Sequence, residues 1–177
     1  GQGAILKPYQ QPTPPIVVTA VAPFSKGVAA AAQRGWEPIS ANFLLPQWVK
    51  THWDSYVEGC AAGNRTASAA NWRVAKSIFV SDGDEKAALR YAHTSEGPYH
   101  FYFKQLIRKL VGYGGRSNLF KADQSEPDES ITADTIAPKL VIAGSVNSVV
   151  DQILALDRKS TRLNSSHSSV SRMPSSA

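Results

Sequence analysis

The chain has 177 residues, 42% of them apolar, which is enough for one domain with a hydrophobic core. Its net charge of +5 comes mostly from residues 158–177, whose four basic residues leave 15 basic against 14 acidic residues in the rest of the chain. This near-neutral balance gives no sign of nucleic-acid binding, and the absence of an apolar run of about 18 residues argues against a membrane span.

The two ends of the sequence differ from its body. The chain begins GQG without Met, so we expect residues to be missing before it. It shows no visible secretion leader. Residues 158–177 are rich in Ser and Arg and resemble translated sequencing-adaptor sequence, and we expect them to be disordered and not native. The predicted domain is therefore residues 1–157. Its single cysteine, Cys60, excludes a disulfide framework and indicates a reducing, cytoplasmic location.

The first 43 residues predict a strand, a helix and a second strand. Ile16–Ala20 (IVVTA) is short, apolar and β-branched, which is typical of a strand buried on both faces of a parallel sheet. A helix is predicted from Ser25 to Arg34, with Ser25 as its N-cap and Gly35 just past its end. The next candidate strand is EPISANF, residues 37–43.

The alternation of strands and helices continues through residue 96. Aromatic residues recur at helical spacing from Pro46 to Ala62, and the alternating stretch from Trp72 to Asp82 predicts a third strand. Asp82 or Asp84 is suited to cap the helix that follows. The order β-α-β-α-β-α with short connections favours an α/β fold with a parallel sheet and right-handed crossovers.

The last third of the domain is less regular. The aromatic cluster GPYHFYF, residues 97–103, either lines an apolar pocket for a flat ligand or forms an ordinary aromatic core. The acidic, polar stretch over residues 121–135 is long enough for a mobile lid or a disordered loop. A final helix is predicted after residue 145, with Ser145 or Asn147 as its cap.

The turn between the first strand and the first helix is the strongest candidate binding site. Small residues before a helix N-terminus leave N–H groups free, and the helix dipole favours an anion such as phosphate there. Ser25 adds a hydroxyl and Lys26 a positive charge. The residues match neither a Walker A nor a GxGxxG motif, so a tight turn without a ligand explains them as well.

Other kinds of site find little support. The residues His52, His93 and His100 are far apart in sequence and lie in no HExxH or Cys-rich motif, so we expect packing or surface histidines and no metal site. No GxSxG or SxxK motif marks a nucleophile. Catalytic residues therefore remain unknown from sequence.

Taken together, several stretches resemble the C-terminal half of bacterial-luciferase-like, flavin-dependent monooxygenases. They are LKPYQQPTPPIVVTAVAPFS, AAQRGWEPISANFL, HWDSYVEGCAAGNRTA, WRVAKSIFVSD, GPYHFYF and IAGSVNSVVDQILAL, and they cover most of residues 5–156. The resemblance implies a partial (β/α)₈ TIM barrel with barrel strands five to seven and their helices. Strands one to four and strand eight are expected to be absent.

The same resemblance implies an oxidoreductase that uses reduced FMN and O₂ to oxidise a small organic substrate. A flavin reductase supplies the reduced FMN in this family, and its barrels usually dimerise. The FMN phosphate would bind after the first strand of this chain, at Val21, Ala22, Ser25, Lys26 and Gly27. Relatives often carry Ser where this chain has Ala22, a loss of about 1 kcal/mol if nothing replaces the hydroxyl.

Two further implications concern what lies outside the chain. The histidine linked to flavin chemistry in this family belongs to the N-terminal half, so the fragment alone is expected to be inactive. Residues 112–135 correspond to the family's mobile active-site loop and predict a lid that excludes water. A non-catalytic scaffold subunit of the same family and an F420-dependent oxidoreductase remain as alternatives.

Overall fold

The structure is a computed structural model that describes residues 8–161, the side chains of the last three excepted. Its strands and helices alternate over most of the chain. In order they are β1 (Val17–Ala20), α1 (Lys26–Gln33), β2 (Glu37–Ser40), α2 (Pro46–Ala62), β3 (Arg73–Val74), β4 (Ser77–Val80), α3 (Glu85–His93), α4 (Pro98–Ile107), α5 (Ala133–Leu140), β5 (Val141–Gly144) and α6 (Val146–Thr161).

All strand pairings in the described residues are parallel, which confirms the predicted α/β class. One sheet has the order β1-β2-β3, with Val17 opposite Glu37 and Ser40 opposite Val74. A second sheet pairs β4 with β5, and Ser77 lies opposite Val141. The prediction of one sheet is therefore wrong, because the strands divide into two.

The division falls inside the stretch that was predicted as a single strand from Trp72 to Asp82. Strand β2 ends at Ser40, and the Ser40 carbonyl accepts the last ladder hydrogen bond from Ala75 at 2.9 Å. Beyond this point β2 offers no further residue for pairing, and the Lys76 ammonium donates to the Leu44 carbonyl at 2.8 Å. The chain then pairs with β5 from Ser77 onward.

Strand β5 was missed in the sequence because its apolar residues directly follow helix α5 without a turn. All four of its residues are buried. It pairs only with β4, so it does not extend the sheet β1-β2-β3. Among the described residues, the sheet that carries the candidate site therefore has three strands.

The predicted helix ends agree closely with the structure. Helix α1 is capped by Ser25, whose hydroxyl oxygen accepts from the Val28 N–H at 3.4 Å, and Gly35 follows it with φ +88°. Helix α2 begins at Pro46 and ends at Ala62 as predicted. Of the two predicted caps of α3, the structure uses Asp84, which accepts from the Lys86 N–H.

Helices α1 and α2 cover one face of the sheet β1-β2-β3. Ala20 packs there in a buried cluster with Val28, Ala32, Tyr56 and Cys60. The opposite face is open, since Val17 is 44% exposed and Val21, just past the strand, is 38% exposed. Ala32 of α1 packs on the sheet in this cluster, and Ala31 is buried as well.

Residues 112–135 are largely exposed, but a few of their apolar side chains are buried in the larger core. Leu119, Phe120 and Ile131 are buried there together with Phe103 of α4 and Leu140 of α5. The alternative of a disordered loop over residues 121–135 is not supported, because Phe120 just before the stretch and Ile131 and Ala133 within it are buried. Whether this segment moves as a lid stays a prediction.

Helix α6 runs to Thr161, four residues beyond the predicted domain boundary at 157. The segment predicted to be disordered thus begins within this helix, and residues 162–177 lie outside the described residues. No helix within the described part of the chain combines the length and the apolar character needed to cross a membrane.

Candidate cofactor site

The turn from Val21 to Ser25 joins β1 to α1 and holds the predicted binding residues. Helix α1 begins at Lys26 and has no acidic residue in its first turn. Within the part of the chain that the structure describes, five backbone N–H groups of this turn and helix start donate to no other group. They belong to Val21, Ala22, Ser25, Lys26 and Gly27. Free N–H groups at a helix N-terminus are the donor set that a phosphate needs.

Space is available beside these donors. Lys26 and Gly27 are exposed, and Ala22 and Ser25 are partly buried. A Cβ added at Gly27 would meet only the Ser25 hydroxyl oxygen, at 3.5 Å. The residues present therefore fit an anion that binds at the N-terminal end of α1.

Phe24 holds the turn in an unusual conformation. Its φ is +51°, in the left-handed region that a bulky residue rarely adopts, at a cost of about 1–3 kcal/mol. The Phe24 N–H donates to the Thr51 hydroxyl at 2.9 Å, and its ring packs edge-on against Trp48 at 6.2 Å. Both partners lie on α2, so this helix stabilises the turn conformation.

A second anchor from α2 is the buried residue His52. Its Nε2 lies 2.7 Å from the Ala22 carbonyl oxygen, and its Nδ1 lies 2.9 Å from the Ser40 hydroxyl. The Ser40 hydroxyl also accepts from the Trp72 indole N–H at 3.2 Å. Burial lowers the pKa of His52, and its hydrogen bond to the Ala22 carbonyl opposes this only in part, so the neutral imidazole is favoured.

Residues next to the turn contact the segment predicted as a lid. Ala22, Phe43 and Trp48 pack against the larger core that contains Phe120. The Trp48 indole N–H donates to the Lys121 carbonyl at 3.2 Å, and the rings of Phe43 and Phe120 lie 6.2 Å apart. Residues 119–121 therefore lie close to the candidate site.

The ends of β4 and β5 are less suited to an anion. Asp84 caps α3, and the Glu85 carboxylate accepts from the Ser145 hydroxyl at 3.5 Å. Since Ser145 precedes α6 and its hydroxyl accepts from the Ser148 N–H, the start of α6 lies beside a carboxylate. A phosphate at either helix start would be repelled by these acids.

The aromatic cluster at residues 97–103 forms part of α4. Phe103 is fully buried in the larger core, and the Tyr99 hydroxyl donates to the Ile78 carbonyl at 3.0 Å. The Tyr102 hydroxyl donates to the Asn42 side-chain oxygen at 3.2 Å, while Phe101 is 66% exposed. This arrangement favours the aromatic core with surface hydroxyls over the wall of a flat-ligand pocket.

Among residues 8–161, the other two histidines have structural partners. His93 Nε2 lies 3.0 Å from the Val141 carbonyl, and His100 Nε2 lies 3.0 Å from an Asp134 carboxylate oxygen. No group of three or more His, Cys, Asp or Glu side chains suited to a metal ion occurs among residues 8–161.

The sequence missed the roles of Thr51 and His52. Both contact the turn from positions 27 and 30 residues further along the chain. Their spacing in α2 predicts only which residues face inward, and Ser40 on β2 carries no motif. No local signal links these side chains to the turn, so only the packing of α2 shows their roles.

Comparison with curated proteins gives an alignment that covers most of the chain. No protein-family model matches the chain. The chain is 23% identical over 153 residues to 3,6-diketocamphane 1,6-monooxygenase of Pseudomonas putida, and the alignment covers 86% of the chain and 39% of that relative.

Solved structures show the same correspondence. The oxygenating constituent of 3,6-diketocamphane monooxygenase from Pseudomonas putida, a type II Baeyer-Villiger monooxygenase solved in complex with FMN, aligns with a TM-score of 0.70 and 23% identity. The match covers 84% of the chain and 40% of that structure. Monooxygenase RslO1 from Streptomyces bottropensis aligns less well, with a TM-score of 0.45 and 14% identity over 84% of the chain and 39% of its own.

The first of these structural matches shows a shared fold. Its coverage shows how much of the larger protein the chain represents. The chain spans about two-fifths of the length of the relatives it matches. The shared fold therefore corresponds to about two-fifths of that relative's structure.

Proposed function

We propose that this chain is part of an FMN-dependent monooxygenase of the luciferase-like family, which uses reduced flavin and O₂ to oxidise a small organic substrate. The proposal rests on the five free N–H donors after β1, in a fold shared with a protein that was solved with FMN. That bound FMN also favours FMN over F420 as the cofactor.

Strands β1 and β2 correspond to strands five and six of a (β/α)₈ barrel, and β3 together with β4 corresponds to strand seven. The parallel pairing of the sheet β1-β2-β3 and its coverage by α1 and α2 on one face support this assignment. The open face with Val17 and Val21 would then line the barrel interior. Strands one to four belong to a part of the parent protein outside this chain, and β5 is a further parallel strand beside strand seven.

The FMN phosphate binds at the turn after β1 in this proposal. The N–H groups of Val21, Ala22, Ser25, Lys26 and Gly27 would hold its oxygens, and the Lys26 ammonium would supply positive charge. The location agrees with the general rule that barrel enzymes build their sites at the C-terminal ends of strands. The open space beside Gly27 supports it as well.

The bound flavin supplies the oxygen chemistry, and this chain supplies placement and shielding. The donors after β1 fix the phosphate end of the cofactor and so orient the rest of it. Residues 112–135 act as the lid, and the contact between Trp48 and Lys121 ties that lid to the phosphate turn. Excluding water there prevents loss of the activated oxygen to side reactions.

The parent protein would work with a flavin reductase, as a homodimer and in the cytoplasm. The near-neutral body of the chain and its single cysteine support a cytoplasmic location. The reductase is expected because a monooxygenase of this kind needs a separate source of reduced flavin.

The experiment that tests the function is flavin binding by the complete parent protein. Recovery of the upstream reading frame provides that protein and should add four further β-α units. FMN should then bind at least about 100-fold more tightly than riboflavin, because only FMN carries the phosphate. Equal binding of the two flavins, tighter binding of F420, or an upstream frame without those units would contradict the proposal.

A further inference from the structure

A continuous chain of buried hydrogen bonds ends on the phosphate turn. It runs from the Trp72 indole to the Ser40 hydroxyl, then to the His52 ring, and finally to the Ala22 carbonyl. Ser40 and His52 are both fully buried, and Trp72 is 9% exposed. The chain connects three separate elements of the fold to one peptide of the turn.

The two ends of this chain fix the direction of every hydrogen bond in it. An indole N–H can only donate, and a carbonyl oxygen can only accept. His52 Nε2 must therefore carry the proton that it donates to Ala22. In the neutral ring Nδ1 is then an acceptor, so the Ser40 hydroxyl donates to Nδ1 while it accepts from Trp72.

The Ala22 carbonyl is a critical group because of its place in the turn. Its peptide joins Pro23, which has no N–H, so a carbonyl that rotated toward the ligand would present only negative charge. His52 holds this oxygen toward the protein interior, and Thr51 holds the Phe24 N–H. With the Ala22 carbonyl and the Phe24 N–H bound, the five N–H groups named above remain free to donate.

We infer that His52 is a positioning residue for the phosphate of FMN: through its hydrogen bond to the Ala22 carbonyl it keeps the donors of the turn directed at the anion. This inference rests on the proposed function of the turn. A neutral imidazole is suited to the task because it accepts from Ser40 and donates to Ala22 without bringing a buried charge.

The test compares two flavins in the complete protein. His52→Leu removes the donor to Ala22, and we expect it to weaken FMN binding about tenfold while riboflavin binding stays unchanged. His52→Gln offers a side-chain N–H at a similar reach and should restore most of the preference for FMN. Flavin fluorescence titration gives both dissociation constants.

His93 provides a matched control. Its Nε2 also lies within hydrogen-bond distance of a backbone carbonyl, that of Val141, but His93 does not contact the turn. His93→Leu should therefore leave the ratio of FMN to riboflavin affinity at its wild-type value. If His52→Leu does not fold, Ser40→Ala, which removes the partner of Nδ1, is expected to lower the same ratio.

The outcomes separate this inference from the proposed function. The wild-type protein must first prefer FMN over riboflavin. If His52→Leu, or Ser40→Ala used in its place, then keeps that preference, the positioning role is wrong. Equal losses for FMN and riboflavin would show a merely structural role and overturn it too. If the wild-type protein does not distinguish the flavins, the proposed function itself fails.

Discussion

At the scale of single residues, the turn after β1 combines free N–H donors with one restrained carbonyl, that of Ala22. Phe24 has a positive φ that Thr51 and Trp48 stabilise, and the Ala22 carbonyl is held by His52. Ser25 caps α1 with its side chain. A tight turn without a ligand needs the cap but not the exposed row of N–H groups, so substitutions at Ser25 can separate the two explanations.

Replacing Ser25 by aspartate is the sharpest substitution for that purpose. Aspartate is as good an N-cap as serine and interacts favourably with the helix dipole, so thermal stability should be unchanged within about 0.5 kcal/mol. Its carboxylate would repel a phosphate, and FMN affinity should fall about 100-fold while riboflavin affinity stays constant. Ser25→Asn, a neutral cap, is the control, and equal FMN binding by both variants would favour the simple turn.

The partly buried Lys76 predicts a pH dependence of stability. Burial lowers its pKa from 10.5 to about 8, so between these values the unfolded chain keeps a proton that the folded chain has lost. The free energy of unfolding should therefore rise with pH across this window. Lys76→Met should reduce that rise in urea titrations of the complete protein at several pH values. An identical slope in both proteins would contradict this explanation.

At the scale of elements, the sequence predicted several helices whose starts carry chemical signals, but it missed α4 and α5, which begin with Pro98 and the Thr132 cap. Pro46 marks the start of α2, Ser25 and Asp84 are side-chain caps, and these helices were placed to within a residue or two. Strand β5 has no such marks, because it follows α5 directly. The break between β3 and β4 was also missed, since it depends on where the partner strand β2 ends and not on the local sequence.

The packing of α1 on α2 gives a prediction at this scale. A Cβ at Gly59 would lie 2.2 Å from the Ala29 carbonyl oxygen and 2.7 Å from the Ala32 Cβ. Gly59→Ala should therefore force the helices apart and cost about 3 kcal/mol, despite the better helix propensity of alanine. Denaturant unfolding of the complete protein measures the loss.

Gly27→Ala is the matched control, because its Cβ has free space. This variant should be as stable as the wild type or more stable by up to about 1 kcal/mol. If Gly59→Ala unfolded at the same denaturant concentration as Gly27→Ala, the close contact between the two helices would be disproved.

At the scale of the whole molecule, the described residues leave apolar surface uncovered. The face of β1 with Val17 and Val21 is open, and α6 exposes Val146, Val150 and Leu154 to between 48% and 53%. Strand β1 is also an edge strand in the described part of the chain. Such edges and faces promote self-association unless another part of the protein covers them.

We therefore expect residues 1–157 on their own to self-associate and to lack enzymatic activity. Light scattering and thermal denaturation test this, and coexpression with the N-terminal half of the parent barrel should yield a monodisperse complex. A monomeric sample of residues 1–157 with a cooperative thermal transition would contradict the assignment as part of a barrel.

The most direct test of the account is a crystal structure of the complete protein with FMN. We predict that the phosphate oxygens lie about 3 Å from backbone nitrogens between Val21 and Gly27, with the Ala22 carbonyl still bound to His52. A phosphate held at another strand end, with this turn closed or empty, would contradict the account.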